Sequence, residues 1–330
     1  MRLHPEQALF SSQRPFPAIS ACDHYAGTEP RMRKALALQA EQAGRFDVTL
    51  DMEDGAPTGH EADHADLIVT LLRERDRSPG EVGVRVHDAE SVWFQRDLET
   101  LLAGAAGLFD YLTIPKVLGA RQLADTITAV QRACQSHGVK KELPLHVLLE
   151  THGALHDAYP LASLPWLRSL DFGIMDFISA HHGAIDAAAM HSPLQFEHAL
   201  LRRAKTTQVA AALAHGLVPT HGVTLAVRDP EQVAADASRA HHEFGYLRMW
   251  SIHPSQIEPI LTAFAPTRDE TARAEQVLLA GQAAGWGPIE IDGRLYDRAS
   301  YRYWWQLLRR AERDGSELSP EAQRAFFSET

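Results

Sequence analysis

Eight short apolar runs, each followed by a longer stretch with helical spacing and polar flanks, punctuate this chain, and that alternation restricts its fold more than any other feature. The runs are FPAISA (16–21), FDVTLD (46–51), VGVRV (82–86), DYLTIP (110–115), LHVLLE (145–150), LDFGI (170–174), GLVPT (216–220) and LRMWSI (247–252). Strands that alternate with helices pair in parallel, and buried parallel strands read as continuous apolar runs, as most of these do. Eight of them close most economically into a (β/α)8 TIM barrel, an α/β fold of about 250 residues. An open doubly wound sheet is the competing fold, but no G-x-G-x-x-G follows the first run. Residues 1–265 are therefore expected to form the barrel.

After SIHPSQIEPI the beat changes. TRDETARAEQVLLAGQAAGW reads as a helix, GPIEIDGRLYD as a turn or hairpin, and RASYRYWWQLLRRAERDG as a helix crowded with aromatics. Residues 266–330 are thus a C-terminal helical extension, surplus to the barrel. Tyr301, Tyr303, Trp304 and Trp305 in it need burial, either on their own barrel or on a neighbouring subunit, so a homo-oligomer is expected.

The chain has 330 residues, enough for a substantial core, and a formal net charge of -11, which argues against a general binder of nucleic acid or anionic membrane. Two cysteines, Cys22 and Cys134, make neither a disulfide framework nor a zinc cluster. The start, MRLHPEQALFSSQRPFP, has no apolar core of signal-peptide length, and a cytoplasmic location is expected.

In a barrel of this kind the active site lies at the carboxyl ends of the strands. Most of the runs end on ionisable groups: Asp51, Glu53 and Asp54 after the second, Arg85 in the third, Lys116 after the fourth, Glu150 at the end of the fifth, Asp176 after the sixth, His221 after the seventh and His253 after the eighth. Each alone suits a helix cap, a solvated turn or a satisfied histidine. Their gathering at one rim does not suit accident. Glu150, at the end of a run that should vanish into a core, and Asp176, from the neighbouring strand end, can share one hard divalent cation such as Mg²⁺, which keeps open positions for substrate oxygens. The His60/His64, His181–His182 and His241–His242 groups lack a third partner at zinc spacing and read as surface or packing residues.

The ordered set LDMEDG, VRVH, IPKV, LLETHG, FGIMD and WSIHPSQIEPI, followed by IDGRLYDRASY, resembles the citrate lyase beta subunit-like family of the HpcH/HpaI aldolase/citrate lyase superfamily, which includes malyl-CoA and citramalyl-CoA lyases. The likeness runs from about Ala18 to about Leu308. It implies a barrel of the phosphoenolpyruvate/pyruvate superfamily, assembled as a trimer or a hexamer of trimers, with Mg²⁺ held by Glu150 and Asp176. It further implies that Arg85 holds a substrate carboxylate with Lys116 beside it, that Glu53 and Asp54 support Arg85 or metal-bound waters, and that Asp297 reaches a neighbouring subunit's site as proton donor or acceptor. The implied activity is Mg²⁺-dependent cleavage of a 3-hydroxyacyl-CoA thioester to an acyl-CoA and a 2-oxo acid; the alternatives are an aldolase that needs no CoA and a catalytically silent binding homologue. Three departures surround the pocket. PAISACDHYAG replaces a usual R-S-x-L-x-V-P-G, His87 stands where an asparagine is usual, and His221 where many relatives carry an acid.

Overall fold

The computed structural model describes residues 3–10, 16–77 and 79–328. The chain forms two compact units, one from Ile19 to Phe264 and one that joins the first eighteen residues to everything from Ala265 onward. Sequence reasoning assigned residues 1–18 to the barrel. Of these, the helix Pro5–Leu9 goes with the tail, because it buries Leu9 in the same core as Trp305 and Phe326, while Trp305 Nε1 donates to Glu6 at 2.8 Å.

Eight parallel strands close the larger unit into a barrel in simple order, β8 pairing back to β1. They are β1 (Cys22–Ala26), β2 (Asp47–Asp51), β3 (Val82–Arg85), β4 (Tyr111–Ile114), β5 (Leu145–Leu149), β6 (Leu167–Phe172), β7 (Val218–His221) and β8 (Arg248–Ser251). Seven fall on the expected runs. The first does not: β1 is CDHYA, just after the apolar FPAISA, and its Asp23 and His24 hid it from an apolar-run criterion.

The reason is the barrel's interior. Alternation along each strand sends the aliphatic side chains outward against the helices, as with Val48, Leu50, Val84 and Leu112, and sends polar and aromatic groups inward. Asp23 and Asp47 meet there across Arg248: Nη2 lies 2.8 Å from Asp23 Oδ2 as an ion pair without hydrogen-bond alignment, and Nη1 donates to Asp47 and to Ser20 O. Thr49 donates to Asp23 at 2.9 Å, and Tyr111 fills the space left by Gly83, whose added Cβ would sit 2.1 Å from the Tyr111 ring. A buried charge is tolerated only when paired, and here the pairing links three strands.

The helices outside carry ordinary end signals. Asp229 caps Pro230–Phe244 by accepting from Gln232 N, and Gly245 closes it in the left-handed conformation that a glycine adopts without strain. Before β7 the chain forms two helices, Leu194–Glu197 and Ala199–Ala214, separated at His198 by an extended backbone. In the smaller unit, Arg268–Ala283 and Arg298–Arg313 flank an antiparallel hairpin, β9 (Ile289–Ile291) and β10 (Arg294–Tyr296), turned by Asp292-Gly293 with both φ positive. Tyr301 and Trp305 are buried in this unit's own core, whereas Tyr303 is 58% exposed.

Candidate active site

The site is built at the strands' carboxyl ends. Register places Asp51 of β2 opposite Arg85 of β3, and the two form a bidentate pair, Nε to Oδ1 at 2.7 Å and Nη2 to Oδ2 at 2.5 Å. Arg85 Nη1 lies 3.3 Å from Glu53, and the guanidinium sits over the Tyr25 ring at 5.4 Å. Arg85 is buried but for 8% of its surface, and its carboxylate neighbours hold its proton more firmly than usual against the cost of burial. Two of its three nitrogens are committed to Asp51, which fixes the plane in which the third can meet an anion.

Lys116, just past β4, has a positive φ of 50° that turns its side chain into the rim. Its Nζ donates to Glu53 and, at 2.9 Å, to Asp54, and lies 3.9 Å from Asp176. Its backbone N–H donates to Glu150 Oε1 at 2.6 Å. Glu150, at the end of β5, is buried, and burial together with the neighbouring Asp176 carboxylate pushes its pKa up to about 8. Asp176 lies in the first turn of a short helix, Ile174–Ser179, half-buried, with its pKa also raised by burial. For Asp54, hydrogen bonds from Lys116 outweigh burial and hold the carboxyl below its ordinary range.

Glycine makes the pocket possible at one point above all. A Cβ on Gly173 would sit 1.9 Å from Glu150 Oε2 and 2.8 Å from Glu150 Cβ. Gly173→Ala is therefore expected to displace Glu150 and to lower turnover by at least about tenfold. The φ of -90° suits alanine, so thermal melting near that of the parent should accompany the loss; unchanged turnover would mean the carboxylate position is unimportant.

These residues fit a hard divalent cation. Among the described residues no cluster of three or more His, Cys, Asp or Glu is placed to hold a metal ion; Asp176 lies close enough for its charge to act on Glu150, and two carboxylates are a donor set of the kind Mg²⁺ accepts while it retains several waters. Among the described residues no Lys or Arg forms a direct ion pair with Glu150: Lys116 Nζ is committed to Glu53 and Asp54, what Glu150 accepts from Lys116 is a neutral backbone N–H, and Arg85 acts on it only through its field. A buried acid beside a second carboxylate is the environment that a dication relieves.

Other expected site residues have partners of their own. His221 faces outward from β7, where its Nε2 meets Lys205 Nζ at 2.7 Å in a buried pocket walled by Phe196, with the ammonium 4.1 Å from that ring's centre. It belongs to helix packing. His253 caps a short turn at Pro254–Gln256, and His87 is engaged by Asp97 at 2.7 Å. Asp297 is the exposed cap of Arg298–Arg313, accepting from Ala299 and Ser300 N–H groups that hold its carboxyl below the ordinary range. Gly27 ends the first strand in close contact with the loop after β2, where a Cβ would sit 2.0 Å from Gly55 O. A groove of about 780 Å³ lined by Phe94, Leu118, Arg121 and Asp125 opens among the loops after β3 and β4, and none of Arg85, Lys116, Glu150 or Asp176 lines it.

Sequence reasoning underweighted Asp51, the main partner of Arg85, and missed Tyr25, Asp171 and Trp250. Trp250 Nε1 donates to Asp171 at 3.1 Å, and burial raises the Asp171 pKa to about 7. The available signal was alternation: Asp51, Tyr25 and Asp171 each fall two residues from another inward polar group, Thr49, Asp23 and Ser169.

The sequence pattern of the HpcH/HpaI aldolase/citrate lyase family matches residues 29–254. The chain belongs to that family. A solved structure of a citrate lyase from Burkholderia xenovorans LB400 is 46% identical, with a TM-score of 0.85 over 99% of this chain and 100% of that one. An L-malyl-CoA/beta-methylmalyl-CoA lyase of Rhodobacter capsulatus is 26% identical over 92% of this chain and 98% of its own length. The CitE protein of Mycobacterium tuberculosis, solved with magnesium, acetoacetate and coenzyme A, shares the fold at 23% identity and a TM-score of 0.66, over 89% of this chain and 99% of that one. The eight-stranded closed barrel is thus the family's (β/α)8 fold of the phosphoenolpyruvate/pyruvate superfamily. Among the described residues no helix is long and apolar enough to cross a membrane.

Proposed function

We propose that this protein is a Mg²⁺-dependent carbon–carbon lyase that cleaves a 3-hydroxyacyl-CoA thioester of the malyl-CoA type into an acyl-CoA and a 2-oxo acid. The carrying observation is Glu150, buried at the mouth of the barrel with no direct ion pair among the described residues, beside Asp176 and within the field of Arg85. Similarity to malyl-CoA lyases along nearly the whole chain supports the reaction class.

Glu150 and Asp176 would hold Mg²⁺, which supplies Lewis-acid polarisation of the oxo-acid oxygens. Arg85 Nη1 pairs with the substrate carboxylate, in a plane set by Asp51. Lys116, held in place by Glu53 and Asp54, brings a second cation to the rim on the side of the same anion. As the carbon–carbon bond breaks, the hydroxyl gives its proton to water and becomes the oxo group, and the bonding pair moves to the acyl carbon as an enolate. A proton from Asp297 of a neighbouring subunit completes the acyl-CoA, and in the condensing direction the same carboxylate removes it, general acid–base work typically worth about 10²–10⁴-fold. Exposure of Tyr303 and of Leu295, at 73%, supports a homotrimer or hexamer in which the smaller unit packs on a neighbour. The exposed Arg31 and Lys34 are candidates for the CoA phosphates. A reducing, cytoplasmic setting suits two buried free cysteines.

The test is turnover of malyl-CoA and citramalyl-CoA with and without Mg²⁺, followed by release of CoA thioester and oxo acid. Dependence on both metal and CoA is expected. Turnover of free hydroxy-oxo acids without CoA would make the protein an aldolase, and an intact fold that binds no Mg²⁺ by calorimetry would leave only a silent homologue.

A further inference from the structure

The barrel interior changes character at one level. Asp23, Thr49, Tyr111 and Arg248 are sealed, at 0% exposure, whereas Tyr25, two residues beyond Asp23 on the same inward face of β1, keeps 8%, and Trp250 keeps 6%. Tyr25 and Trp250 pack ring to ring at 4.3 Å with an interplanar angle of 36°, directly beneath the Arg85 guanidinium. Tyr25 Oη is buried, with the equally buried Thr113 Oγ1 as its polar neighbour. The hydroxyl end of Tyr25 is therefore closed off, and ring surface is what faces the mouth. Trp250 cannot easily move aside, since its indole is held by Asp171 at 3.1 Å.

We propose that Tyr25, braced by Trp250, is the floor of the substrate pocket and selects the 2-oxo acid by the length of the group attached to its carbonyl carbon. The inference rests on the lyase reading, in which Arg85 anchors the carboxylate. With that anchor fixed by Asp51 directly above the ring, a substituent that points down the barrel axis meets an aromatic face within one or two carbons. A rigid apolar wall discriminates a single methylene by roughly 10–200-fold. No charged group needs to touch the substituent. Glyoxylate and pyruvate fit such a floor, and straight-chain homologues collide with it.

The experiment measures kcat/KM in the condensing direction with acetyl-CoA, Mg²⁺ and a series of glyoxylate, pyruvate, 2-oxobutyrate and 2-oxovalerate, together with binding of the same oxo acids by calorimetry. The parent protein is expected to lose at least about tenfold between pyruvate and 2-oxovalerate. Tyr25→Leu should shift the 2-oxovalerate-to-pyruvate ratio at least about tenfold toward the longer acid. A parent enzyme that accepts 2-oxovalerate as readily as pyruvate overturns the proposal without any variant, and so does a folded Tyr25→Leu protein with an unchanged ratio. A parent protein that neither binds nor turns over any of the four acids instead defeats the lyase reading on which this one stands.

Discussion

Glu150→Ala protein is expected to lose measurable Mg²⁺ binding and to fall at least about 10³-fold in kcat/KM while its barrel stays folded. The argument is electrostatic. Glu150 is buried and carries its proton up to about pH 8, from an ordinary 4.5, because burial and Asp176 disfavour its charge. A dication removes that penalty, so cation and deprotonation are coupled. Affinity for Mg²⁺ should therefore fall by up to about tenfold for each pH unit below 8, measured by calorimetry between pH 6 and 8.5. The sign for stability follows from the same shift. A carboxyl whose folded pKa exceeds its unfolded one keeps a proton that the unfolded chain has lost between pH 4.5 and about 8, so the metal-free protein loses stability as pH rises through that window. Glu150→Gln should consequently be more stable than its parent in EDTA at pH 8, by a few kcal/mol, and equal to it near pH 4.5. Mg²⁺ binding that survives Glu150→Ala, or an affinity flat with pH, would remove Glu150 from the metal site.

Arg248→Met is expected to cost about 3–5 kcal/mol of stability in urea denaturation, the largest effect of any single change proposed for the barrel interior. Arg248 is fully buried and stands between Asp23 on β1 and Asp47 on β2. Methionine fills much of the same volume but leaves two carboxylates without their cation in a site no water reaches. Burial already raises the Asp23 pKa, and loss of the guanidinium removes the chief opposing influence. The deficit should shrink as pH falls, since protonation relieves the unpaired charge. A triple replacement, Arg248→Met with Asp23→Asn and Asp47→Asn, should recover part of it. A single variant as stable as its parent would show that the charged interior is incidental to the fold.

How far the sequence revealed this depended on the kind of residue. Seven strands announced themselves through outward aliphatic side chains, and β1 did not, because CDHYA points Asp23 and Tyr25 inward and exposes few aliphatics to the helices. Arg85, Lys116, Glu150 and Asp176 could be picked out because each closes an apolar run and so stands out against it. Asp51 was hidden by its neighbours: in DMEDG three acids compete, and only strand register shows that Asp51, not Glu53 or Asp54, grips the guanidinium. His221 misled for the converse reason. It closes a strand but points outward to Lys205, since the one-residue step that separates Thr220 from His221 also separates the inside of the barrel from the outside.

By itself the sequence determined the alternation of strands and helices, and through it a closed barrel whose chemistry gathers at one rim, because periodicity and burial are properties of neighbouring residues along the chain. Only the tertiary structure decided which acids meet which cations: that Asp51 holds Arg85, that Lys116 is shared by Glu53 and Asp54, and that Glu150 is buried with no direct ion pair among the described residues. Those pairings join residues 34 to 63 positions apart. Over such separations contact is fixed by strand register and by the closure of the barrel, neither of which any local pattern encodes.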